Sequence, residues 1–183
     1  EMQRSLVGSE MCIRDRDSTV QVGKIVLNDE SISTTVNTKG KTVLNLSAGQ
    51  YDAIEKTRDG NGIVGNITGG TFSNSVDQTY LADGLKYEVY AGGKYSYFTD
   101  INDAVAAATE DDIVEDFRSP RGDGEDGYTV RLEDNNAVVA RIHSFATSVS
   151  LPTLSKSGYT FKGWKDAEGK TYTSQYNLSL IHI

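Results

Sequence analysis

Cysteine, methionine and histidine are almost absent from this sequence. The chain has one Cys and two Met, and Met2, Met11 and Cys12 all lie within the first twelve residues. A Cys-free interior fits a cytosolic protein or an extracellular one that avoids thiols. The interior has a single His, His143, with no Cys or second His near it. Zinc binding and Ser–His–Asp catalysis therefore lack essential parts, and we predict no catalytic, cofactor-binding or metal-binding residues.

Long apolar runs and excess basic charge are also lacking. No run of about 18 apolar residues occurs, so the sequence predicts no membrane-spanning segment. The net charge of −8 argues against a nucleic-acid partner, because basic residues are what bind phosphate. Only 37% of the 183 residues are hydrophobic. This lean composition favours two small or extended β modules over one thick globule.

The two ends of the chain share no periodicity with its interior. The peptides "RSLVGSEMCIRDR" at 4–16 and "LSLIHI" at 178–183 resemble translated sequencing adapters. A leader peptide is the alternative for the first, but no apolar stretch follows its basic residues. We therefore expect 1–16 and 178–183 to be artefactual and disordered, with 17–177 as a native piece of something longer.

Residues 20–80 are rich in Gly, Asn, Thr and Ser between short β-branched runs. The run at 46–51 aligns with the run at 67–72, at an offset of 21 residues. Each unit is an apolar strand, a corner of small residues and an aromatic, and such a period is typical of a solenoid. The segment "GNITGGTFSNS" resembles the "ISGGTFS" rungs of right-handed parallel β-helix regions in bacterial surface proteins. A β-sandwich is the alternative.

A hairpin and a helix are predicted next. The segment "LKYEVYAGGKYSYF" at 85–98 alternates around Gly92 and Gly93, which predicts a β-hairpin. The segment at 99–112 predicts a helix with Thr99 or Asp100 as its N-cap. Its apolar stripe consists of Ile101, Ala104, Val105 and Ala108. The strand–helix–strand order resembles an entry found beside β-helix modules, where the helix covers an open end of the coil.

A second module is predicted after a charged, Gly-containing linker at 115–127. The strand "YTVRLED" begins at Tyr128 with alternating polarity, and a turn at 134–136 leads into the strand "AVVARI". Near the end of the chain, Tyr159 and Phe161 are expected to face one way. A bulge at Gly163 would turn the single Trp, Trp164, onto the same buried side.

The stretch 128–177 resembles the Listeria–Bacteroides repeat, also called the InlB B-repeat. The matching residues are Tyr128, Thr129, Val130, Pro152, Gly158, Tyr159, Phe161, Gly163 and Trp164. The usual "NGG" after the first strand is replaced here by Asp134-Asn135-Asn136. The resemblance implies a small β-grasp-like unit of secreted or wall-attached bacterial proteins, without known catalytic residues. The predicted fold is mainly β, a partial parallel β-helix-like solenoid with a short helix, followed by this small module.

Short motifs in the turns carry little functional information. The segments "RDGNG" at 58–62 and "DGEDG" at 123–127 place carboxylates among glycines, but they lack the spacing of a calcium loop. We interpret both as solvated turns. The tripeptide "RGD" at 121–123 is a chance match, and "LPTLS" at 151–155 is not a sortase signal, since no apolar tail follows it.

Three functions remain open at this point. The leading hypothesis is a non-catalytic stalk or adhesin-type segment of a secreted or wall-attached bacterial surface protein, located outside the cell. Its partner would be a host or matrix protein or a glycan. A fragment of a β-helix polysaccharide-active enzyme is the second hypothesis. The third is a carbohydrate-binding module, with exposed stacking groups at Tyr80, Tyr90, Tyr95 and Tyr97.

Overall fold

The computed structural model of the chain describes residues 21–27, 42–56, 63–119 and 126–177. Within these ranges the protein is mainly β, with fourteen strands and one short α-helix, which confirms the predicted class. The predicted artefactual ends, the RGD tripeptide and the 58–62 turn lie outside the described residues. The chain divides into two compact units, Glu1–Asp83 and Gly84–Ile183.

The described residues of the first unit form five strands that pair in parallel. They are β1 (Gln21–Leu27), β2 (Thr42–Leu46), β3 (Gln50–Lys56), β4 (Ile63–Ile67) and β5 (Thr71–Phe72), followed by a 3-10 helix at Gln78–Tyr80. Strand β3 lies between β1 and β5, and β2 pairs with β4. Parallel neighbours need a crossover connection, so each pair joins segments that are distant in sequence.

The parallel register reproduces the 21-residue offset seen in the sequence. Leu46 is opposite Ile67, and Tyr51 is opposite Phe72. The Tyr51 and Phe72 rings stack with centroids 5.3 Å apart and an interplanar angle of 20°. Equivalent residues of the two runs therefore lie directly against each other.

Glycine permits the close backbone approaches in this unit. Gly49 and Gly70, at the two corners, have φ values of +120° and +107°, which favour glycine. A Cβ atom on Gly65 would lie 2.1 Å from the Cα of Tyr80. The chain then continues into Leu81, which forms a parallel bridge with Ile67. Close main-chain contact, made possible by the missing side chain of Gly65, thus adds to the packing of buried side chains such as Ile67 and Phe72.

The second unit is built from hairpins and one helix. Its elements are β6 (Tyr87–Ala91), β7 (Lys94–Phe98), α1 (Ile101–Ala107), β8 (Ile113–Asp116), β9 (Tyr128–Asp134), β10 (Ala137–Ser144), β11 (Ser148–Ser150), β12 (Trp164–Lys165), β13 (Thr171–Tyr172) and β14 (Gln175–Asn177). Five of the strands form a sheet in the order β7-β6-β8-β10-β9, in which β8 and β10 run parallel. Strands β11 and β14 form one further antiparallel pair, and β12 and β13 form another.

Two tight turns define the hairpins of this sheet. Gly92 and Gly93 have positive φ values of 57° and 77°, as the predicted β6–β7 hairpin requires. Asn135 and Asn136, with φ values of 51° and 67°, fill the same positions between β9 and β10. Asn is among the few residues that tolerate this left-handed region, so the sequence without the usual glycines still makes the tight turn.

The predicted helix is present, but at Ile101–Ala107 it is shorter than the predicted segment 99–112. Asp100 is the N-cap, and its carboxylate accepts a hydrogen bond from the backbone N–H of Asn102 at 2.7 Å. The hydrogen bonds from Asn102 lower the pKa of Asp100. The helix ends at Ala107, because the Asp112 carboxylate accepts from the N–H and hydroxyl of Thr109 and closes a separate turn.

Strand β8 occupies the start of the predicted linker. Glu115 and Asp116 are its last two residues, and Val114 is opposite Ile142 of β10. A single core cluster extends from Tyr87 to Trp164, so residues on both sides of 115–127 share one interior. The two compact units meet in the sequence between Asp83 and Gly84. Composition revealed the charges of the segment 115–127, but it did not reveal that Glu115 and Asp116 pair within a strand.

Candidate functional site

The Trp164 side chain is a core element of the second unit. It is 9% exposed, and its Nε1 donates a hydrogen bond to the Pro152 carbonyl at 2.7 Å. The Phe161 ring meets it edge-on, with centroids 5.6 Å apart. Gly163 has a φ of +122°, and a Cβ there would lie 2.7 Å from the Tyr172 carbonyl oxygen. The predicted burial of Trp164 is confirmed, and Gly163 lets its strand approach β13.

The prediction that Tyr159 packs beside Trp164 is wrong. Tyr159 is 75% exposed. Gly158, with a φ of +80°, forms a turn in which the Tyr159 N–H donates to the Lys156 carbonyl at 3.0 Å. This turn replaces the predicted strand, so the alternation that would have buried Tyr159 does not exist. Its ring instead has the Lys156 ammonium 5.2 Å from its centroid.

The remaining residues of the repeat-like motif have ordinary structural positions. Tyr128 and Val130 lie half-buried on β9 and pack against the core cluster, while Thr129 between them is exposed. Pro152 is fully buried. The burial of the three strand residues matches the predicted alternation, and none of the four residues points to a ligand.

An open cleft of about 680 Å³ lies beside this motif. Its walls are formed by residues between Arg131 and Asn135 on one side and between Leu154 and Lys165 on the other. The buried side chains of Leu132 and Trp164 contribute apolar surface, and the exposed ring of Tyr159 projects at its margin. The cleft is a concave surface of the size that small-molecule sites have.

Positive charge prevails around the cleft although the chain as a whole is acidic. The lining includes four cationic side chains, Arg131, Lys156, Lys162 and Lys165, against the two carboxylates of Glu133 and Asp134. Arg131 and Glu133 form an exposed ion pair at 2.8 Å, with 57% and 40% of their side chains accessible. In the part of the chain that the structure describes, Lys162 and Lys165 form no ion pair. Sequence reasoning missed this site, whose only signal was three lysines in ten residues around the aromatic motif.

Comparison with known proteins adds no relative. No family model, curated protein or solved structure matches the chain. The resemblances to β-helix rungs and to the Listeria–Bacteroides repeat therefore stay predictions.

The four tyrosines predicted as stacking groups do not form one platform. Tyr80 and Tyr97 are 4% and 5% exposed, so their prediction as exposed groups is wrong. Tyr90 is 52% exposed, and its ring lies 4.6 Å from that of Tyr95, which is directly opposite in the hairpin. A cross-strand aromatic pair of this kind stabilises a hairpin without any ligand.

His143 is held by structural contacts on β10. Its Nδ1 lies 2.7 Å from Glu115 Oε2, and its Nε2 lies 3.0 Å from the Asp126 carbonyl. Ser144, the next residue, is fully buried with its hydroxyl 3.4 Å from the Asp116 carboxylate. Neighbours on a strand point to opposite faces, so His143 and Ser144 do not form a nucleophile and base pair.

Asp116 is the carboxylate most affected by its surroundings. Burial raises its pKa, and hydrogen bonds from Ser144 and from the backbone at 118 and 119 oppose the rise in part. No group of three His, Cys, Asp or Glu side chains is arranged to hold a metal ion among the described residues. Within the same residues, no helix has the length and apolar character to cross a membrane.

Proposed function

We propose that this chain is a non-catalytic stalk or adhesin-type segment of a secreted or wall-attached bacterial surface protein. The observation that supports the proposal is the parallel stacking of equivalent residues at a 21-residue offset in the first unit. Stacked repeats extend in one direction and present a long surface rather than a single pocket. Such a shape suits a segment that projects from a cell.

The finer fold assignments belong to the same proposal. The first unit would be part of a β-helix-like solenoid, which the glycine corners and the Asn66 to Asn45 side-chain hydrogen bond of 2.8 Å favour. The stretch from Tyr128 would be a β-grasp-like repeat, favoured by its hairpin and its buried Trp164. Both units would then be modules of a longer surface protein, and the family resemblances agree with that context.

The main alternative is a fragment of a β-helix enzyme that acts on polysaccharides. Such an enzyme needs carboxylates or cations clustered on one face of its rungs. The described rungs instead expose Asn45, Asn66 and Thr68. The carboxylate of Asp52 accepts a hydrogen bond from Ser73 at 3.2 Å, which gives it a structural partner. Polar amides and hydroxyls of this kind stabilise a stack but supply no acid or base.

Two measurements test the proposal. The first is the full reading frame that contains this segment, which we expect to carry an export signal upstream and a wall anchor downstream. An intracellular catalytic domain fused in frame would contradict it. The second is an assay for reducing ends and unsaturated products after incubation of the full chain with pectin and alginate. We expect no product above the buffer control, and steady release of oligosaccharides would establish the enzyme instead.

A further inference from the structure

We infer that the cleft between 131–135 and 154–165 binds an acidic glycan, a chain of sugars that carry uronic-acid carboxylates. The inference goes beyond a stalk or adhesin role and does not rest on it, because it is argued from the second unit alone. Three features of the cleft carry it, namely an exposed aromatic ring, an excess of cations and a mixture of charges.

The first feature is the exposed ring of Tyr159. With 75% of its surface accessible, it is the most exposed of the large hydrophobic side chains in the described residues. The turn at Gly158 holds it away from the core although Phe161 and Trp164 pack together close by. An exposed aromatic ring beside a cleft offers a flat apolar face with a polar tip. The C–H face of a pyranose ring has the complementary shape and polarity.

The second feature is the set of lysines around that ring. Lys156 lies over the Tyr159 ring, while Lys162 and Lys165 are exposed on the same wall of the cleft. A ligand carboxylate close to these ammonium groups would form charge-assisted hydrogen bonds. The chain has a net charge of −8, so this concentration of cations is a local departure from its average. It would attract an anionic ligand to this face rather than to the rest of the surface.

The third feature separates a glycan from other anions. Glu133 and Asp134 line the cleft beside the cations. Their carboxylates would repel a densely charged polyanion such as nucleic acid or polyphosphate. A uronic-acid chain has one carboxylate per ring and several hydroxyls, so it has donors for these acceptors as well as charge for the lysines. Glu133 already pairs with Arg131, and Asp134 accepts a hydrogen bond from Asn135. Sugar hydroxyls would add to these contacts, and an acidic peptide is distinguished from a glycan by the binding experiment below.

The size of the cleft agrees with an oligosaccharide. Its volume of about 680 Å³ lies within the ~300–1,000 Å³ that small-molecule sites occupy. The cleft is open to solvent, so a sugar chain longer than the cleft can extend beyond it.

Isothermal titration calorimetry of the full chain tests the inference with two matched ligands. Tetragalacturonate is the acidic ligand, and a galactose tetrasaccharide is its neutral counterpart. We expect tetragalacturonate to bind with a Kd below about 1 mM and at least about tenfold more tightly than the neutral sugar. Binding should weaken as salt is raised, because exposed ion pairs are screened.

Substitutions then locate the site. Tyr159→Ala and Lys162→Glu are each expected to weaken tetragalacturonate binding about tenfold. Tyr90→Ala and Lys86→Glu are the matched controls, since both residues are exposed in the same unit and neither lines the cleft. All four substitutions alter exposed side chains, so far-UV circular dichroism and thermal melting should show a folded chain.

Three outcomes overturn the inference. One is no tetragalacturonate binding at millimolar concentration by a chain that is folded. Another is binding that the controls weaken as much as Tyr159→Ala and Lys162→Glu do. The last is a hexaglutamate peptide that binds as tightly as tetragalacturonate, since this result would assign the cleft to acidic peptides. None of these results bears on the export signal or the absence of glycan cleavage, so the proposed function would fail or stand separately.

Discussion

The two compact units of this chain are held together in different ways. In the first, equivalent backbone segments stack in parallel, and Gly65 allows the main chain to come close to Tyr80. In the second, hairpins surround one cluster of buried side chains to which Trp164 contributes. Both units bury apolar side chains, such as Ile67 and Phe72 in the first, so the difference lies in the arrangement of their strands, parallel stacking in one and hairpins in the other.

This difference predicts which substitutions each unit tolerates. The close backbone approach in the first unit should be sensitive to added atoms, because there is no space for a Cβ at Gly65. A unit held by a side-chain cluster should be sensitive to lost atoms, because a cavity forms where a large group is removed. Substitutions in the two units test this contrast in opposite directions.

The largest expected effect is the loss of the Trp164 side chain. Trp164→Ala removes a buried indole and its hydrogen bond to Pro152, so we expect it to lower the free energy of unfolding by about 3–5 kcal/mol. The whole cluster from Tyr87 to Trp164 should lose stability together, since it is one core. Urea denaturation followed by far-UV circular dichroism measures the change.

Tyr159→Ala is the matched control for that substitution. It removes an aromatic ring only five positions away, but this ring is 75% exposed. The free energy of unfolding should therefore change by about 0.5 kcal/mol or less. If Trp164→Ala leaves the midpoint as little altered as Tyr159→Ala does, side-chain packing does not hold the second unit.

A smaller effect is expected from an added methyl group in the first unit. Gly65→Ala places a Cβ 2.1 Å from the Tyr80 Cα, and relieving this overlap should cost about 1–3 kcal/mol. Hydrogen exchange of the amides between 63 and 82 should accelerate. Gly84→Ala is the control, because its Cβ would make only an ordinary contact of 3.7 Å with Thr99. Equal exchange in both variants would show that backbone proximity is not what stabilises the first unit.

The smallest effect should come from Asp116, whose pKa is raised by burial from the model-compound value of 3.8. Because the raised pKa belongs to the folded state, ionisation of Asp116 costs stability. The cost is absent below the ordinary carboxyl pKa, grows as the pH rises towards the folded pKa, and is complete above it.

Asp116→Asn keeps the shape of this side chain without its charge. The variant should therefore gain stability relative to the wild type between about pH 3 and about pH 7. Parallel urea titrations at the two pH values measure this difference. A variant that loses stability relative to the wild type as the pH rises would show that the hydrogen bonds from Ser144 and the backbone favour the charged form.

Much of the fold was readable because turn chemistry and periodicity are local. The pair Gly92 and Gly93, with alternating residues on both sides, predicted the β6–β7 hairpin. The 21-residue offset predicted which residues of the first unit are opposite each other, such as Tyr51 and Phe72. In both cases the sequence spacing is itself the structural relation, so no tertiary information was needed.

The features that the sequence did not reveal include two that depend on contacts distant along the chain and one local turn. Strand β8 ends in Glu115 and Asp116, which resemble linker residues until their segment pairs with β10. Tyr159 looks like a core aromatic because the turn at Gly158 is not distinguishable from a glycine within a strand. The cleft is visible only when Arg131 and Lys162, which are 31 positions apart, line the same surface. Sequence patterns describe neighbours, whereas the pairing of β8 and the cleft join residues that are distant along the chain.

The single tryptophan of the chain also makes it a selective optical probe. Trp164 is 9% exposed and hydrogen-bonded through its Nε1, so its fluorescence emission should shift to longer wavelength when the second unit opens and water reaches the indole. The first unit contributes no tryptophan signal, because none of its residues is Trp. Tryptophan emission recorded on a sample would therefore report on the second unit, whereas far-UV circular dichroism of the same sample would report on the secondary structure of both units. Curves that separate would show the chain unfolding in stages, and coincident curves would show a single cooperative transition.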